Sequence, residues 1–197
     1  MKKIVSVKPK EYLQQGMRYC GGYTIKAILS AYNLGDGRHP KEYLPSLKKS
    51  FGFTTPKMIQ KVLLQYKLNA PMKRVNNVSD AKKLEIIKRE LNKNRPVILL
   101  IGNGYSPKGR YSALRMQCIS HWISIWGYDD NNKVFYIYDS YRDKNYYDEI
   151  PIGNIKRSYA QVLRDWKGPL MLRKINFLYM PIGNMKPKTE LRGIKPS

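Results

Sequence analysis

The chain has 197 residues, of which 42% are hydrophobic, so it can form one globular domain with a core of its own rather than a disordered segment. No apolar run reaches the roughly 18 residues of a membrane-spanning helix, and no apolar region of a signal peptide follows the N-terminal lysines. There are two cysteines, too few for a framework of several disulfides, and 37 Lys and Arg residues against 14 Asp and Glu residues make the formal net charge +23.

The positive charge bears on partners rather than on the fold. It favours phosphate backbones, acidic membrane surfaces or acidic proteins. Many lysines fall on the polar faces of predicted helices, where a solvated surface explains them, and no nucleic-acid-binding motif accompanies them. Nucleic acid is therefore the less favoured partner. We expect a cytoplasmic protein, or one secreted without a recognisable signal peptide, and the sequence leaves its oligomeric state open.

The first half of the chain is predicted to be helical, because apolar residues recur there at intervals of three and four. Thr55-Pro56 and Ser79 are typical helix starts, since threonine and serine cap a first turn and proline fits its first position. After an extended basic segment, residues 1–13, the predicted helices cover roughly residues 21–32, 41–50, 55–66 and 79–93.

The periodicity changes after residue 95. Residues 96–104 form a continuous apolar run that predicts a buried strand, and residues 105–119 have the composition of a loop. Residues 121–128 and 134–139 are predicted to pair as a hairpin around a turn rich in Asp and Asn. A short helix at 158–166 and a last strand at 176–182 follow.

These elements predict an α+β fold in which N-terminal helices pack on a mostly antiparallel sheet. We expect a single domain over residues 1–182. Residues 183–197 are rich in Lys, Pro and Gly and predict a flexible basic tail.

Cys20 lies directly before two glycines at the start of the first predicted helix, in the stretch RYCGGYTIKAIL. A helix N-terminus favours the reactive thiolate form of a cysteine, because it offers unpaired N–H groups and the positive end of the helix dipole. Gly21 and Gly22 would leave this turn uncrowded, so that a substrate carbonyl could approach. The alternative is a small buried cysteine that happens to precede a helix.

His121 and Asp139 stand at one end of the predicted hairpin. Pairing about residues 130 and 131 places His121 opposite roughly residue 140, and therefore near the level of Asp139. A carboxylate there can accept from one imidazole nitrogen and leave the other facing a thiol. Taken separately, a core histidine and a turn-initiating aspartate explain the two residues equally well.

Gln14 and Gln15 lie six and five residues before Cys20. A glutamine amide beside a nucleophile can donate to the oxyanion of an acyl-transfer intermediate, together with the backbone N–H of the nucleophile. No cofactor and no metal are expected. Cys118 and His121 are three residues apart, but no second pair has the spacing of metal ligands.

The order of these residues resembles that of papain-like cysteine peptidases: a glutamine, a cysteine on a helix, a histidine on a strand and an aspartate one hairpin later. It resembles more closely the compact bacterial branch that includes the bacteriocin-processing, double-glycine-leader peptidases. The family usually has proline or another small residue in place of Gly22, and often glycine in place of Ser120. The matching stretches are QQGMRYCGGYTIKAIL, RPVILLI, HWISIWGYDD and VFYIYDS, over roughly residues 12–140.

This resemblance implies a papain-like fold and a role for each candidate residue. Cys20 would be the nucleophile, His121 the base and Asp139 the group that orients the histidine. Gln14 would be the oxyanion donor, since its interval from the cysteine suits these enzymes better than that of its neighbour. Trp122 would pack beside the site. The expected protein is a thiol hydrolase that cleaves a peptide or isopeptide bond through an acyl-enzyme.

Two other functions are consistent with the same residues. Transfer of the acyl group to an amine would make a transglutaminase-type enzyme, and a glutamine substrate would make a deamidase; both share the thioester intermediate. The +23 charge and 16 tyrosines favour instead a basic nucleic-acid-binding module without catalysis. For a peptidase, the same charge favours an acidic peptide or protein as substrate.

Overall fold

The computed structural model describes residues 1–16, 18–35, 37–44, 53–142 and 150–185, without the side chains of residues 173–175. Within these ranges, two 3₁₀ helices cover Pro40–Tyr43 and Leu170–Ile175. The α-helices are α1 (Cys20–Ala31), α2 (Pro56–Gln65), α3 (Asp80–Asn92), α4 (Ala113–Cys118) and α5 (Tyr159–Trp166). The strands are β1 (Lys2–Ile4), β2 (Leu68–Asn69), β3 (Lys73–Arg74), β4 (Val97–Gly102), β5 (Ser120–Asp129), β6 (Val134–Tyr138), β7 (Ile155–Ser158), β8 (Leu178–Pro181) and β9 (Gly183–Asn184).

A seven-stranded antiparallel sheet organises the molecule, in the order β3-β8-β4-β5-β6-β7, with β1 also paired to β5. Along one edge of β5, β4 pairs with residues 120–125 and β1 continues with residues 127–129. The other edge of β5 pairs with β6. The helices pack on this sheet, so the predicted α+β fold is confirmed.

The nucleophile-bearing helix predicted from the sequence is α1, and its apolar face is buried. Ile25, Ile28 and Leu29 are fully buried, as the spacing predicts. Burying one such side chain contributes about 1.5–3 kcal/mol. The hydroxyl of Thr24 also donates to the backbone carbonyl of Trp122 on β5, at 3.3 Å. Apolar burial and this hydrogen bond together hold the start of α1 against the central strand.

The predicted helix starts are confirmed by their caps. The side chain of Thr55 accepts from the N–H of Met58 at 3.3 Å, and that of Ser79 accepts from the N–H of Lys82 at 3.3 Å. Ser158 forms a full capping box at the start of α5. Each cap satisfies N–H groups that have no partner inside their helix. The boundaries of these helices therefore follow from local sequence.

Two predicted elements differ from the structure. Residues 105–119, predicted as a loop, contain α4, whose start is capped by Ser112 through the N–H of Arg115 at 3.3 Å. The predicted helix at 41–50 is a 3₁₀ helix at Pro40–Tyr43, and residues 45–50 lie outside the described residues. In the described ranges, every helix is too short or too polar to cross a lipid bilayer.

The ordered chain extends beyond the predicted domain boundary at residue 182. Gly183–Asn184 pairs with Leu68–Asn69 as a two-stranded sheet, and the N–H of Met185 donates to the carbonyl of Lys67 at 3.2 Å. This pairing satisfies backbone groups just where the basic tail was predicted to begin. Residues 186–197 lie outside the described residues, and their flexibility stays a prediction.

A β-bulge in the hairpin decides which face of the sheet carries Asp139. Tyr128 pairs with Phe135, but Ser124 pairs with Tyr138, so one extra residue, Trp126, is inserted into β5. Without the bulge, Asp139 would continue opposite Ser124, on the face away from His121. With it, Asp139 continues opposite residue 123, on the same face as His121. The predicted pairing places His121 opposite roughly residue 140. The register observed at Ser124 and Tyr138, if continued, places His121 opposite residue 141, which is one residue further.

We predict that Gly22→Ala destabilises the fold. The added Cβ would lie 2.4 Å from the backbone carbonyl oxygen of Pro40, which cannot move aside as a side chain can. We expect the free energy of unfolding, measured by urea denaturation, to fall by about 1–3 kcal/mol. The control is Gly16→Ala, whose Cβ would meet no described atom within 4 Å. Equal unfolding midpoints for the two variants would contradict this account of Gly22.

Candidate active site

Cys20 is the first residue of α1 and is partly exposed. The residue before it, Tyr19, has left-handed backbone angles (φ 73°, ψ 20°), and its side chain does not cap the helix. The carbonyl of Tyr19 accepts the N–H groups of Gly22 at 2.9 Å and Tyr23 at 3.2 Å. No capping side chain binds the start of the helix. Its first N–H groups and the positive end of its dipole are therefore next to Cys20.

Gly21 and Gly22 have a packing role that the sequence did not predict. A Cβ on Gly21 would lie 2.4 Å from the methyl carbon of Thr54, and one on Gly22 would lie 2.4 Å from the carbonyl oxygen of Pro40. The glycines therefore let two neighbouring segments approach α1. Their absent side chains allow this close packing, and the access for a substrate carbonyl stays a prediction.

His121 lies near the start of β5 and is 2% exposed. Its Nε2 is 2.7 Å from Oδ1 of Asp139, which is fully buried. Cys20 lies close enough to the same imidazole to contribute to the raised pKa of His121. Since Nε2 is occupied by Asp139, Nδ1 is the nitrogen left for the thiol. The structure thus pairs His121 with Asp139 and places both Cys20 and Asp139 near the same imidazole.

The electrostatics of this chain favour a charged imidazole. Burial alone lowers the pKa of His121, but the charge and hydrogen bond of Asp139 and the contact with Cys20 outweigh it and raise the pKa from 6.5 to about 9. Burial raises the pKa of Asp139, but His121, Arg157 and the N–H of Tyr141 outweigh this effect and hold that pKa well below its usual range. At neutral pH the pair is an imidazolium and a carboxylate.

The two glutamines before Cys20 face opposite ways. Gln15 is buried; its N–H donates to the carbonyl of Ser140 at 2.7 Å, and its Oε1 accepts from the Ser140 hydroxyl at 2.5 Å. Gln14 is exposed. The segment is held beside Asp139 by a further hydrogen bond of 2.5 Å from the hydroxyl of Tyr138 to the carbonyl of Leu13. Gln15 therefore belongs to the support of the site, whereas Gln14 lies at the surface.

Trp122 connects β5 to the start of α1. It is 2% exposed, and its indole N–H donates to the backbone carbonyl of Thr54 at 3.0 Å. The side chain of Thr54 in turn packs against Gly21. Trp122 thereby supports the helix turn that carries Cys20, next to His121 in the sequence.

Sequence reasoning missed the groups that hold Asp139. The side chain of Asn154 binds both the N–H of Asp139, at 2.8 Å, and its carbonyl, at 2.9 Å. Nη2 of Arg157 is 2.5 Å from the second carboxylate oxygen. Arg157 is one of 37 basic residues, and nothing in the local sequence distinguishes it. The one available signal was alternation in β7, where Arg157 is buried and Lys156 exposed.

A helix that begins at a cysteine and packs on an antiparallel sheet with a buried histidine–carboxylate pair defines the class of papain-like cysteine peptidases. The model of the Peptidase_C39 like family matches residues 10–165, which is most of the chain. The chain therefore belongs to the peptidase C39-like family and is a cysteine peptidase. The resemblance seen in the sequence is confirmed.

Solved structures with the same fold include two peptidase domains of transporters. One is a double glycine motif protease from an AMS/PCAT transporter, solved in complex with the leader peptide: it has 14% identity and a TM-score of 0.57, and the match covers 94% of this chain and 99% of that one. The other is the peptidase domain of Streptococcus ComA, with 14% identity, a TM-score of 0.57, and coverage of 93% and 98%. No curated protein matches the sequence.

The raised pKa of His121 predicts a pH dependence of stability. A group with a raised folded-state pKa stabilises the fold fully below its unfolded value, and this contribution is lost as pH rises through the folded value. We expect the free energy of unfolding of Cys20→Ala to decrease as pH rises above about 6.5, and the decrease to end below pH 9 because Cys20 contributes to the raised pKa of His121. Urea denaturation at a series of pH values measures it.

The control is the double variant Cys20→Ala/His121→Gln, which retains every other titrating group. We expect its stability to change less over the same pH interval. Identical slopes for the two proteins would contradict the charged pair of His121 and Asp139.

Proposed function

We propose that this cysteine peptidase hydrolyses peptide or isopeptide bonds with Cys20 as nucleophile, His121 as general base and acid, Asp139 as the group that orients the imidazole, and Gln14 as an oxyanion donor. The observation that carries the proposal is the position of His121 between a buried carboxylate and the thiol at the start of α1. Nucleophile, base and orienting group in contact are the arrangement that acyl transfer requires.

In the first half of the reaction, the proton of Cys20 resides on His121, and the thiolate attacks the carbonyl carbon of the substrate. The oxyanion formed accepts hydrogen bonds from the backbone N–H of Cys20 and the amide of Gln14. His121 then donates its proton from Nδ1 to the leaving amine, the C–N bond breaks, and a thioester on Cys20 remains. Asp139 accepts from Nε2 throughout.

In the second half, neutral His121 takes a proton from water, which attacks the thioester carbonyl. The second tetrahedral intermediate collapses, the C–S bond breaks, and the carboxylic acid product leaves. The thiolate of Cys20 and the imidazolium of His121 are restored. The raised pKa of His121 supports its role as the acid in the first half, since it holds a proton at neutral pH.

An acidic peptide is the substrate class that the surroundings of the site favour. The ammonium of Lys41 lies 5.5 Å from the ring centre of Tyr19, which precedes Cys20. The guanidinium of Arg115 lies 5.8 Å from the ring of Tyr141, whose own ring centre is 6.1 Å from that of His121. Each of the two reacting residues therefore has a tyrosine neighbour with a cation beside its ring, and these cations would attract carboxylates of a substrate.

A peptide rather than a small amide is supported by the related double glycine motif protease, which was solved with a leader peptide. We therefore propose that this chain also acts on a peptide, and we do not carry over the sequence of that leader peptide.

The test is a digest of a mixed peptide library by the purified protein, with new N-termini mapped by mass spectrometry. We expect cleavage products, enrichment of acidic residues near the cleaved bonds, and an acyl adduct on Cys20 in quenched samples. Cys20→Ala and His121→Ala should lower the rate by about 10⁴-fold or more. Cys118→Ala, which removes the exposed cysteine, should retain the wild-type rate.

Other outcomes would replace the proposal. Ammonia release without new N-termini would indicate a deamidase, and incorporation of an added amine would indicate a transferase. Nucleic-acid binding that weakens with salt, equal in wild type and Cys20→Ala and without turnover, would indicate a binding module.

The exposed position of Gln14 makes a separate prediction about the oxyanion donor. Gln14→Ala should lower kcat by about 10²–10³-fold, as loss of one oxyanion donor does in other acyl-transfer enzymes. Gln15→Ala should lower stability rather than kcat, because Gln15 binds Ser140 below the site. Steady-state kinetics and urea denaturation of both variants measure this. The reverse result, with kcat lost in Gln15→Ala alone, would assign the role to Gln15.

A further inference from the structure

The second oxygen of Asp139 is bound by an arginine that neither the sequence motifs nor the mechanism above has used. Oδ1 faces His121 at 2.7 Å, and Oδ2 accepts from Nη2 of Arg157 at 2.5 Å. The side chain of Arg157 is 3% exposed and that of Asp139 is fully buried. A carboxylate bound at both oxygens has one orientation available to it, so Arg157 also determines where Oδ1 lies.

Arg157 is itself held from three sides. It stands on β7 opposite Phe135 of β6, the strand that ends just before Asp139. Its Nη1 lies 3.4 Å from Oδ2 of Asp165 on α5, and its guanidinium lies 4.7 Å from the ring centre of Tyr105. A guanidinium is a planar group whose donors point in set directions, so these contacts leave it little freedom to turn.

The charges bound directly to the carboxylates of Asp139 and Asp165, at the Arg157 and Arg164 side chains, balance apart from His121. Asp139 and Asp165 are fully buried, and each pairs with Arg157, while Arg164 binds the other oxygen of Asp165 at 2.9 Å. Two arginines thus face two carboxylates. Transfer of a proton from Cys20 to His121 adds one charge of each sign and keeps the site neutral. An unbalanced charge at this depth would favour one protonation state of His121 strongly.

We propose that Arg157 is a positioning residue for the reaction: it orients the carboxylate of Asp139 towards His121, and its charge limits how tightly that carboxylate holds the imidazole proton. This inference rests on the proposed function for its effect on turnover. Its effect on His121 can be measured without any substrate.

The first experiment follows the protonation of His121 by NMR titration. The chain has two histidines, and the exposed His39, whose ring lies 6.4 Å from that of Tyr23, serves as the internal reference. Replacing Arg157 with methionine leaves an excess negative charge, so we expect the titration midpoint of His121 to rise by about one pH unit. Replacing Asp165 with asparagine leaves an excess positive charge, and the midpoint should fall.

Other charged and titratable groups lie near His121 and Arg157, and both variants retain them. They are Cys20 on α1, Arg115 on α4, Arg164 on α5, and Asp139, Tyr141 and Arg142 after β6. The opposite signs expected for the two variants separate an electrostatic effect from general loosening of the fold, because loosening would move both midpoints towards that of an exposed imidazole.

The second experiment measures turnover of the library peptides. Arg157→Met should lower kcat by roughly tenfold to hundredfold with little change in KM, because a misoriented Asp139 affects the reacting groups and not the binding of peptide. Arg157→Lys keeps the charge but not the planar geometry, so the His121 midpoint should stay near the wild-type value while kcat recovers in part. Arg89→Met, the same substitution at an exposed position on α3, is the matched control.

The proposal is overturned if the His121 midpoint of Arg157→Met equals that of wild type, or if Arg157→Met and Asp165→Asn move it in the same direction. If the midpoints move as expected but no peptide is cleaved even by wild type, the electrostatic role of Arg157 stands and the proposed function fails. Should Arg157→Met not fold, the titrations of Asp165→Asn and Arg157→Lys decide the question.

Discussion

The architecture depends on one buried contact, the pairing of His121 with Asp139. A carboxylate without access to water must have every lone pair satisfied, and that of Asp139 accepts from His121, Arg157 and the N–H of Tyr141. Asn154 binds the backbone of the same residue on both sides. Strands β5, β6 and β7 therefore meet at Asp139, and His121 has one position in which it can face Cys20.

The need to pair every buried carboxylate also explains why this basic protein carries its excess positive charge on the surface. Several carboxylates serve as internal counterions: Asp139, Asp165 and Glu90 are all at most 2% exposed, and each lies within 3.4 Å of an arginine. Acidic groups used in this way cannot offset the lysines on the surface. The net charge of +23 is set by composition, and the internal pairing of these carboxylates leaves the excess positive charge at the surface.

This member of the peptidase C39-like family has 14% identity to a solved structure of the same fold, and two features near its candidate site have a local physical cause. The residue after the Cys-Gly pair is a glycine here because Pro40 approaches α1 within the space of a Cβ. The 105–119 segment forms α4, and from it Arg115 donates to the hydroxyl of Tyr141 at 3.2 Å, beside His121. Gly22 is two residues from Cys20, and the ring of Tyr141 is 6.1 Å from that of His121, so both features are near the candidate site.

The sequence by itself determined α1, α2, α3 and α5, the central strands and the nomination of Cys20, His121 and Asp139, because periodicity and capping are local properties. Only the tertiary structure decided that Asp139 lies on the same face as His121, since this depends on a bulge at Trp126 that shifts the strand register. It also decided that Arg157, unremarkable among the basic residues, completes the site. Register and cross-strand partners join residues remote in sequence, and no local pattern encodes them.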